Sequence, residues 1–200
     1  MKGLIAGNAR AYVRKVVQKL SGDYRCQLFL LNAAKMGLPQ ARQRVFIIGI
    51  RNDLKDKVDP LVLDFDEEPI YFKEICEGEL TNNLTEREQY LWEHRKPSDE
   101  SMADTAERCG YGKTGFTTKY IHKGHVPKTI TAGSRNLCYD YPRTLSVNEV
   151  RKMSSFPSDY KCDENKFVWL MGMSVPPVMM AQIANKIRIQ WLDVITSKES

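Results

Sequence analysis

The hydrophobic pattern of the first 51 residues predicts one helix followed by two strands. Apolar residues at helical spacing indicate an amphipathic helix over about residues 9–21, and they are Val13, Val16, Val17 and Leu20. Two short apolar runs, 27–31 and 45–50, come next, and the second is rich in β-branched residues. Such runs are typical of buried strands. A helix, a strand, a loop and a strand in this order predict part of an α/β sheet domain.

The pattern changes after Arg51, where an acidic and irregular stretch over 52–80 leads into a region rich in turn residues. Thr85 and Glu88 have the spacing of a capping box, which predicts a short helix that ends before Pro97. Two β-prone pieces, 116–118 and 129–131, lie among the turns that follow. We therefore expect residues 75–142 to form a separate, small and loop-rich domain.

Regular structure is predicted to return in the last quarter of the chain. Ser146 and Glu149 form a second capping box, and its helix must stop near Pro157. The final helix is expected after Ser174, with Pro176 and Pro177 in its first turn, where missing N–H groups cost nothing. Its apolar stripe consists of Met179, Ile183, Ile187 and Trp191. We expect residues 1–74 to form the end of the α/β domain and residues 143–200 to return to it.

Composition restricts the class of protein and its environment. The chain has 200 residues, 42% of them hydrophobic and 28% charged, which is typical of a globular protein. No apolar run approaches the ~18 residues of a membrane span, and no export signal opens the chain, so we expect a cytoplasmic protein without a membrane partner. Its five cysteines are scattered and should be reduced thiols. No histidine–cysteine spacing matches a common zinc site, so no metal is expected.

Charge is distributed in blocks along the sequence. Residues 1–51 hold ten basic and one acidic residue, residues 52–107 hold six and seventeen, and residues 108–152 hold nine and two. Folding can bring the two basic blocks against one polyanion, such as a nucleic acid. An ordinary solvated surface is the alternative, and charge alone favours it.

The segment directly before the second predicted strand has the first candidate chemistry. Gln40, Arg42 and Arg44 alternate there, so their side chains can share one face at the entrance of the strand. Guanidinium groups suit phosphate oxygens and the carbonyl edges of bases. On spacing alone, an exposed loop with two ordinary arginines is the simpler interpretation.

Two later segments are candidates for binding or for structure. The turn Gly172–Pro177 places the Ser174 hydroxyl at the start of a helix, where free N–H groups attract an anionic group. Simple helix capping is the alternative. The segment from Arg143 to Glu149, followed by the Phe156–Tyr160 turn, is a capped helix that ends at a proline turn. Most of its residues are structural under either interpretation.

Taken in order, these three segments resemble the DNA cytosine-5 methyltransferases. Members of that family have a Gln-x-Arg-x-Arg motif, a variable target-recognition region, an Arg-x-Leu-(Ser/Thr)-x-x-Glu motif with Phe-Pro-x-x-Tyr, and Gly-Asn-(Ser/Ala)-Val-Pro-Pro. The match covers residues 3–51 and 143–190, and 126–131 resembles an element of recognition regions. Met173 stands where the family usually has asparagine. The resemblance implies an α/β fold: the C-terminal part of a Rossmann-like S-adenosylmethionine-dependent methyltransferase domain, plus a small loop-rich target-recognition domain.

Other motifs of the family are absent from the sequence. None of the five cysteines follows a proline, as the family's nucleophile does, and neither the Phe-x-Gly-x-Gly loop nor Glu-Asn-Val is present. The opening residues 1–4 resemble the segment that follows Glu-Asn-Val. We therefore expect the chain to be inactive alone and to need the missing motifs. Three origins stay open: a designed fragment, a truncated gene, or one polypeptide of a split enzyme that a separate N-terminal methyltransferase polypeptide completes. The alternative is a non-catalytic DNA-binding or regulatory remnant.

The resemblance also implies roles for individual residues. Arg44 would hold the flipped target cytosine or its phosphate, Arg42 would support the same pocket, and Gln40 would shape the loop. Ser174 and Val175 would contact the methionine end of the cofactor S-adenosyl-L-methionine, and Arg143 with Glu149 would organise the seam between the domains. Double-stranded DNA would be the partner of the basic block, through Lys119, Lys123, Lys128, Thr129 and Arg135.

Overall fold

A computed structural model describes residues 10–115, 117–133, 135–163 and 166–199. The first helix and the two long strands are α1 (Arg10–Leu20), β1 (Tyr24–Asn32) and β2 (Gln43–Arg51). The middle of the chain contains α2 (Glu86–Glu93), α3 (Met102–Arg108), β3 (Tyr120–Ile121) and β4 (Leu137–Cys138). The last quarter contains α4 (Val147–Met153), α5 (Phe167–Met173), α6 (Pro177–Ile187), a π-helical turn (Arg188–Leu192) and α7 (Asp193–Glu199).

The two predicted strands pair with each other as an antiparallel hairpin. Leu28 lies opposite Ile47, and the pairing extends from Tyr24 opposite Arg51 to Asn32 opposite Gln43. Because side chains alternate along a strand, the hairpin has two distinct faces. One face packs against α6. The other face is only partly covered, since Leu28 and Leu30 are each 43% exposed, so the expectation of fully buried strands is wrong for this face.

The final helix covers the inner face of the hairpin. Met179 and Ile183 are buried against residues of β1 and β2, and Trp191 is buried beside Ile50, which confirms the predicted apolar stripe. Contrary to the expectation from sequence, Phe167–Lys198 is long and apolar enough to cross a membrane, with a mean hydropathy of 1.5. Since a non-helical turn after α5 interrupts this stretch and its stripe packs on the hairpin, we interpret it as a core element of the fold.

The middle of the chain forms a small unit with little regular sheet. Its only strands among the described residues are β3 and β4, which pair in parallel. The described residues of the β-prone pieces, 117–118 and 129–131, form no strand, and residue 116 lies outside the described residues. Both capping boxes are confirmed: the N–H of Glu88 donates to the Thr85 hydroxyl, and that of Glu149 donates to the Ser146 hydroxyl.

The two helices that follow residue 143 pack on the small unit. One cluster joins Ile121, Ile130 and Cys138 of that unit to Val150 and Met153 of α4 and to the buried side of α5. Contact with the hairpin resumes with Met179 in α6. The domain bounds 75–142 and 143–200 remain a prediction. By hydrophobic packing, helices α4 and α5 belong with the smaller unit.

Candidate functional site

The loop before β2 directs its three candidate side chains to different surroundings. Gln40 and Arg42 are each only 1% exposed. The Arg42 guanidinium donates to the carbonyl oxygens of Ile130 at 2.9 Å, Gly172 at 2.7 Å and Ser174 at 2.6 Å. The expectation that all three side chains share one open face is therefore wrong. Long-range carbonyl acceptors draw Arg42 inward, where it joins the loop to two distant segments.

Gln40 completes this buried arrangement. Its amide nitrogen donates to the carbonyl of Met153 at 3.0 Å, and its amide oxygen accepts from Arg42 at 3.4 Å. Each end of the side chain therefore has a partner, as a buried amide requires. Gln40 orients Arg42 and ties the loop to the end of α4.

Arg44 is the candidate residue that reaches an open surface. It lines a groove of about 770 Å³, which we call the Arg44 groove. The other lining residues are Asn32, Ala41, Gln43, Thr129, Ile130, Thr131, Ala132, Gly172 and Met173. Arg44 donates to the carbonyl of Gln43 at 2.9 Å, and partial burial lowers its pKa. A guanidinium keeps its proton in proteins, so the groove contains a fixed cation with free donors for an anionic or carbonyl-bearing ligand.

The wall of the groove is built by close backbone contacts between distant segments. The N–H of Ala41 donates to the carbonyl of Pro127 at 2.8 Å, and the Thr129 hydroxyl donates to the carbonyl of Ala41 at 2.7 Å. A Cβ at Gly172 would lie 2.4 Å from the backbone nitrogen of Ala132, so only glycine allows this approach. The sequence places Gly172 in the turn before the final helix but does not predict this close contact, because its partner Ala132 lies 40 residues earlier.

Ser174 and Val175 occupy the turn between α5 and α6. Neither is among the residues that line the Arg44 groove. The Ser174 hydroxyl donates to the carbonyl of Met171 at 2.9 Å, while Val175 is exposed. Ser174 does not cap the final helix, whose N-cap is Pro176. The backbone N–H of Val178, in the first turn of α6, donates to the hydroxyl of Ser155 at 3.1 Å and not to that of Ser174. That partner could not be predicted from neighbouring residues, because Ser155 lies 23 residues earlier.

The basic block is partly neutralised by residues of the acidic block. Lys128 pairs with Glu100 at 2.5 Å, and Arg135 pairs with Glu88 at 2.8 Å. Lys123 donates to the Tyr141 hydroxyl at 2.6 Å, and this hydrogen bond raises the pKa of Lys123. The picture of a free cationic face is therefore wrong in part. Folding brings acidic side chains among the cations, which block counting cannot predict.

Lys119 and Thr129 complete the set of predicted contacts. Lys119 is half-buried, and its backbone N–H donates to the Asn136 side chain at 3.4 Å. Thr129 is half-buried at the edge of the Arg44 groove. Within the described ranges, no group of three or more histidine, cysteine or acidic residues is placed to hold a metal ion. His122 and His125 contact each other, with ring centroids 5.1 Å apart, and His122 stacks on Tyr139.

A buried ion pair joins residues 77–78 to α4. Arg143 donates to both carboxylate oxygens of Glu149, at 2.7 and 2.8 Å, and to the carbonyl of Gly78 at 2.9 Å. Burial by itself would raise the pKa of Glu149. Hydrogen bonds from Arg143 and from the backbone N–H groups of Glu77 and Ser146 outweigh burial, and the pKa of Glu149 is lowered. The pair holds two segments of the small unit together, and neither residue lines the Arg44 groove.

Comparison with known proteins places this arrangement among DNA methylases. The C-5 cytosine-specific DNA methylase family matches residues 1–188. Type II methyltransferase M.MthTI of Methanothermobacter thermautotrophicus is 26% identical over 82% of this chain and 56% of its own length. M.BspRI of Lysinibacillus sphaericus is 26% identical over 80% of this chain and 40% of its own length. The chain thus spans about half the length of the curated relatives it matches.

Solved structures agree on the fold. A prophage-encoded DNA modification methyltransferase from E. coli superimposes with a TM-score of 0.66 at 15% identity, over 93% of this chain and 66% of that one. The Dnmt2 methyltransferase of S. pombe gives a TM-score of 0.58 at 14% identity, over 94% of this chain and 64% of that one. At such low identity the likeness concerns the mixed α/β fold alone. Since the family match extends over nearly the whole sequence, the chain belongs to the C-5 cytosine-specific DNA methylase family.

Proposed function

We propose that this chain is the C-terminal, DNA-recognising part of a DNA cytosine-5 methyltransferase. The observation that carries the proposal is the Arg44 groove: a single guanidinium stands in an open groove, at the entrance of a strand, beside residues 129–132. A base that reacts at carbon 5 must leave the duplex stack and enter a pocket. The groove offers such a base a charged donor together with apolar walls.

Within this proposal, Arg44 contacts the flipped cytosine or its phosphate. Arg42 and Gln40 act as positioning residues, because their polar groups are engaged with backbone carbonyls inside the protein. Thr129, at the edge of the groove, and Lys119 would contact the DNA backbone. Lys123 and Lys128 would exchange their present partners, Tyr141 and Glu100, for phosphates.

S-adenosyl-L-methionine would supply the methyl group as an electrophile. The residues present fit only a small part of such a cofactor: Val175 offers an exposed apolar side chain, and the Ser174 hydroxyl is engaged with Met171 but keeps acceptor capacity. The turn before α6 is thus a partial contact for the apolar or methionine end of the cofactor. Most of the cofactor site would come from outside this chain.

The nucleophile would also come from outside this chain. Burial raises the pKa of the Cys138 thiol to about 11, so this cysteine is protonated at neutral pH and unsuited to attack a base. No cysteine follows a proline, as the family's nucleophile does. We propose that the remaining methyltransferase motifs are provided by a longer polypeptide or by a separate N-terminal polypeptide.

The hairpin offers a surface for that remaining part. Among the described residues, β1 and β2 pair only with each other, and an isolated two-stranded sheet is marginally stable in water. Leu28 and Leu30 leave one face of the hairpin partly open. Further strands or helices on this face would bury apolar side chains that the chain itself leaves in contact with solvent.

The proposal is tested by restoring the missing motifs in trans and measuring methyl transfer to DNA. Arg44→Ala should lower turnover strongly, since losing a charged hydrogen-bond partner in a desolvated pocket costs about 2–5 kcal/mol. Arg44→Lys should restore activity only in part, because an ammonium cannot reproduce the planar fork. Arg51 is the matched control, since it lies at the far end of the same strand and pairs with Asp53 in solvent. Equal effects of Arg44→Ala and Arg51→Ala would remove Arg44 from the pocket.

The isolated chain provides a second test. It should transfer no methyl group, while still binding duplex DNA weakly and with a steep salt dependence. Replacing Lys119, Lys123 and Lys128 together should flatten the slope of log K against log salt by up to about three units. Methyl transfer by the chain alone would refute the division of labour, and an unchanged slope would place the DNA surface elsewhere. A remnant without a catalytic partner would bind DNA in this way but gain no activity from the missing motifs.

A further inference from the structure

Helix α5 exposes two large apolar side chains on one face. Phe167 and Met171 are buried in the small unit, whereas Trp169 is 51% exposed and Met173 is 64% exposed. Residues four apart on a helix are neighbours on its surface. Trp169 and Met173 therefore form one apolar ridge, which we call the α5 ridge.

The ridge lies along the edge of the candidate site. Met173 lines the Arg44 groove, and Trp169 lines a second cavity of about 350 Å³ together with Gly133, Arg135 and Asn136. The close approach of Gly172 to Ala132 fixes α5 against the segment that runs between the two cavities. The ridge, the groove and the described residues of the adjoining segment, 131–133 and 135–136, thus form one continuous surface.

Trp169 differs from the other two tryptophans, whose indole N–H groups are both engaged by backbone carbonyls. The Trp92 N–H donates to the carbonyl of Cys138, and that of Trp191 donates to the carbonyl of Asp59. Trp169 has no hydrogen-bond partner among the residues that the structure describes. An aromatic side chain with an open face and a free N–H is well suited to stacking and to a polar contact at its edge.

The charges around the ridge indicate the chemistry of its ligand. Arg44 stands on one side of it and Arg135 on the other, and none of the described residues lining the two cavities is acidic. Arg135 is held by an ion pair with Glu88 and by the carbonyl of Asn83, so its position is fixed and Glu88 offsets its charge until a phosphate competes for it. A ligand that combines flat apolar faces with negative charge matches this surface, and a nucleic-acid strand with an unstacked base has that combination.

We propose that the α5 ridge is a stacking surface for an unstacked nucleobase of the DNA, separate from the base held in the Arg44 groove. This inference rests on the proposed function and extends it, since it adds a base contact outside the cytosine pocket. Trp169 stacks on the face of the base, Met173 packs against its edge, and Arg135 lies near the adjoining phosphate. Base stacking on an aromatic side chain tolerates any base, so the contact favours a distorted duplex over an intact one without reading its sequence.

Binding of three probes by the isolated chain tests the proposal: a paired duplex, the same duplex with one unpaired base, and a single strand of equal length. The chain should bind the unpaired-base duplex and the single strand more tightly than the paired duplex and should show quenching of tryptophan emission with them. Trp169→Leu should weaken binding of these two probes at least about fivefold and abolish the quenching, with little change for the paired duplex. Trp169→Phe should retain most of the preference, because it keeps an aromatic face.

Tyr12→Leu is the matched control. Tyr12 is 71% exposed on α1, and its substitution likewise replaces an aromatic side chain by an aliphatic one. It should leave all three affinities unchanged. Equal loss for all probes in Trp169→Leu, or no preference in the unchanged chain, would overturn the stacking role while leaving the proposed function in place. Failure to bind any of the three probes would overturn both. A quenching signal that survives in Trp169→Leu would assign the contact to another tryptophan and also overturn the ridge.

Discussion

Replacing Arg42 by methionine separates a structural role from a catalytic one within a single motif. Arg42 is almost fully buried, and its guanidinium donates to three backbone carbonyls and to Gln40. Methionine keeps an unbranched apolar stem of similar length but supplies no donor. The variant therefore leaves the carbonyls of Ile130, Gly172 and Ser174 without their partner while changing the packing little.

The magnitude follows from the number and kind of hydrogen bonds. A hydrogen bond from a charged donor stabilises a protein by about 1.5–3 kcal/mol, and Arg42 makes three good ones. The Arg42 Nε atom is buried without a partner, so desolvation of the charge offsets part of this gain. We expect a net loss of about 3–5 kcal/mol in the free energy of unfolding. That is a large share of the about 5–15 kcal/mol that a domain possesses.

Urea unfolding followed by tryptophan emission measures this loss, and Arg44→Met is the matched control. Arg44 carries the same charge two residues later, but among the described residues its hydrogen bond goes to the neighbouring Gln43 carbonyl, so its replacement should cost under about 1 kcal/mol. If both variants unfold at the same urea concentration, the structural role of Arg42 is refuted. A stable Arg42→Met variant that loses only activity would return Arg42 to the pocket.

Three further predictions concern local stability. Gly172→Ala should lower the melting temperature, because the new Cβ would clash with the backbone of Ala132. Alanine is otherwise favoured over glycine in helices by about 1 kcal/mol, so a rise in the melting temperature would contradict the close approach. Glu149→Gln should be destabilising by about 3–5 kcal/mol at pH 7 because it leaves Arg143 buried and unpaired. The folded pKa of Glu149 is lowered, so its contribution to the free energy of unfolding is present above the unfolded pKa and is lost as pH falls through the folded pKa. The urea midpoints of the unchanged protein and of Glu149→Gln should therefore converge at acidic pH. A gap between them that stays constant with pH would argue against the pair. Thr85→Ala should cost about 1 kcal/mol by urea titration, and no change would mean that the cap contributes nothing.

The elements that the sequence predicts well are those specified by neighbouring residues. The helix at Arg10–Leu20, both long strands and both capping boxes depend on periodicity or on partners three residues away. The apolar stripe of the last helix is equally local, since Met179 and Ile183 lie one turn apart. Periodicity identifies which face is apolar, and that face packs on the hairpin.

The features that the sequence does not predict depend on partners far along the chain. Arg42 and Arg44 have the same chemistry, yet among the described residues Arg42 meets acceptors 88 to 132 residues away, whereas Arg44 donates to the neighbouring Gln43 carbonyl. The partners of Lys128 and Arg135 lie 28 and 47 residues before them in the sequence, in a block with the opposite charge. Short strands such as β3 and β4 have no periodic signal, because two residues are too few to show one.

The kind of acceptor that Arg42 uses makes most of its hydrogen bonds independent of side-chain identity. Three of its four partners are backbone carbonyls, one in the small unit and two around the turn before α6. A backbone carbonyl is available whatever side chain follows it, so residues near 130 can change while the bond persists. Gly172 has the complementary constraint, because the backbone of Ala132 leaves no room for a Cβ. These contacts therefore constrain the backbone around residues 130–132, the segment in which the exposed residues Thr131 and Ala132 border the Arg44 groove.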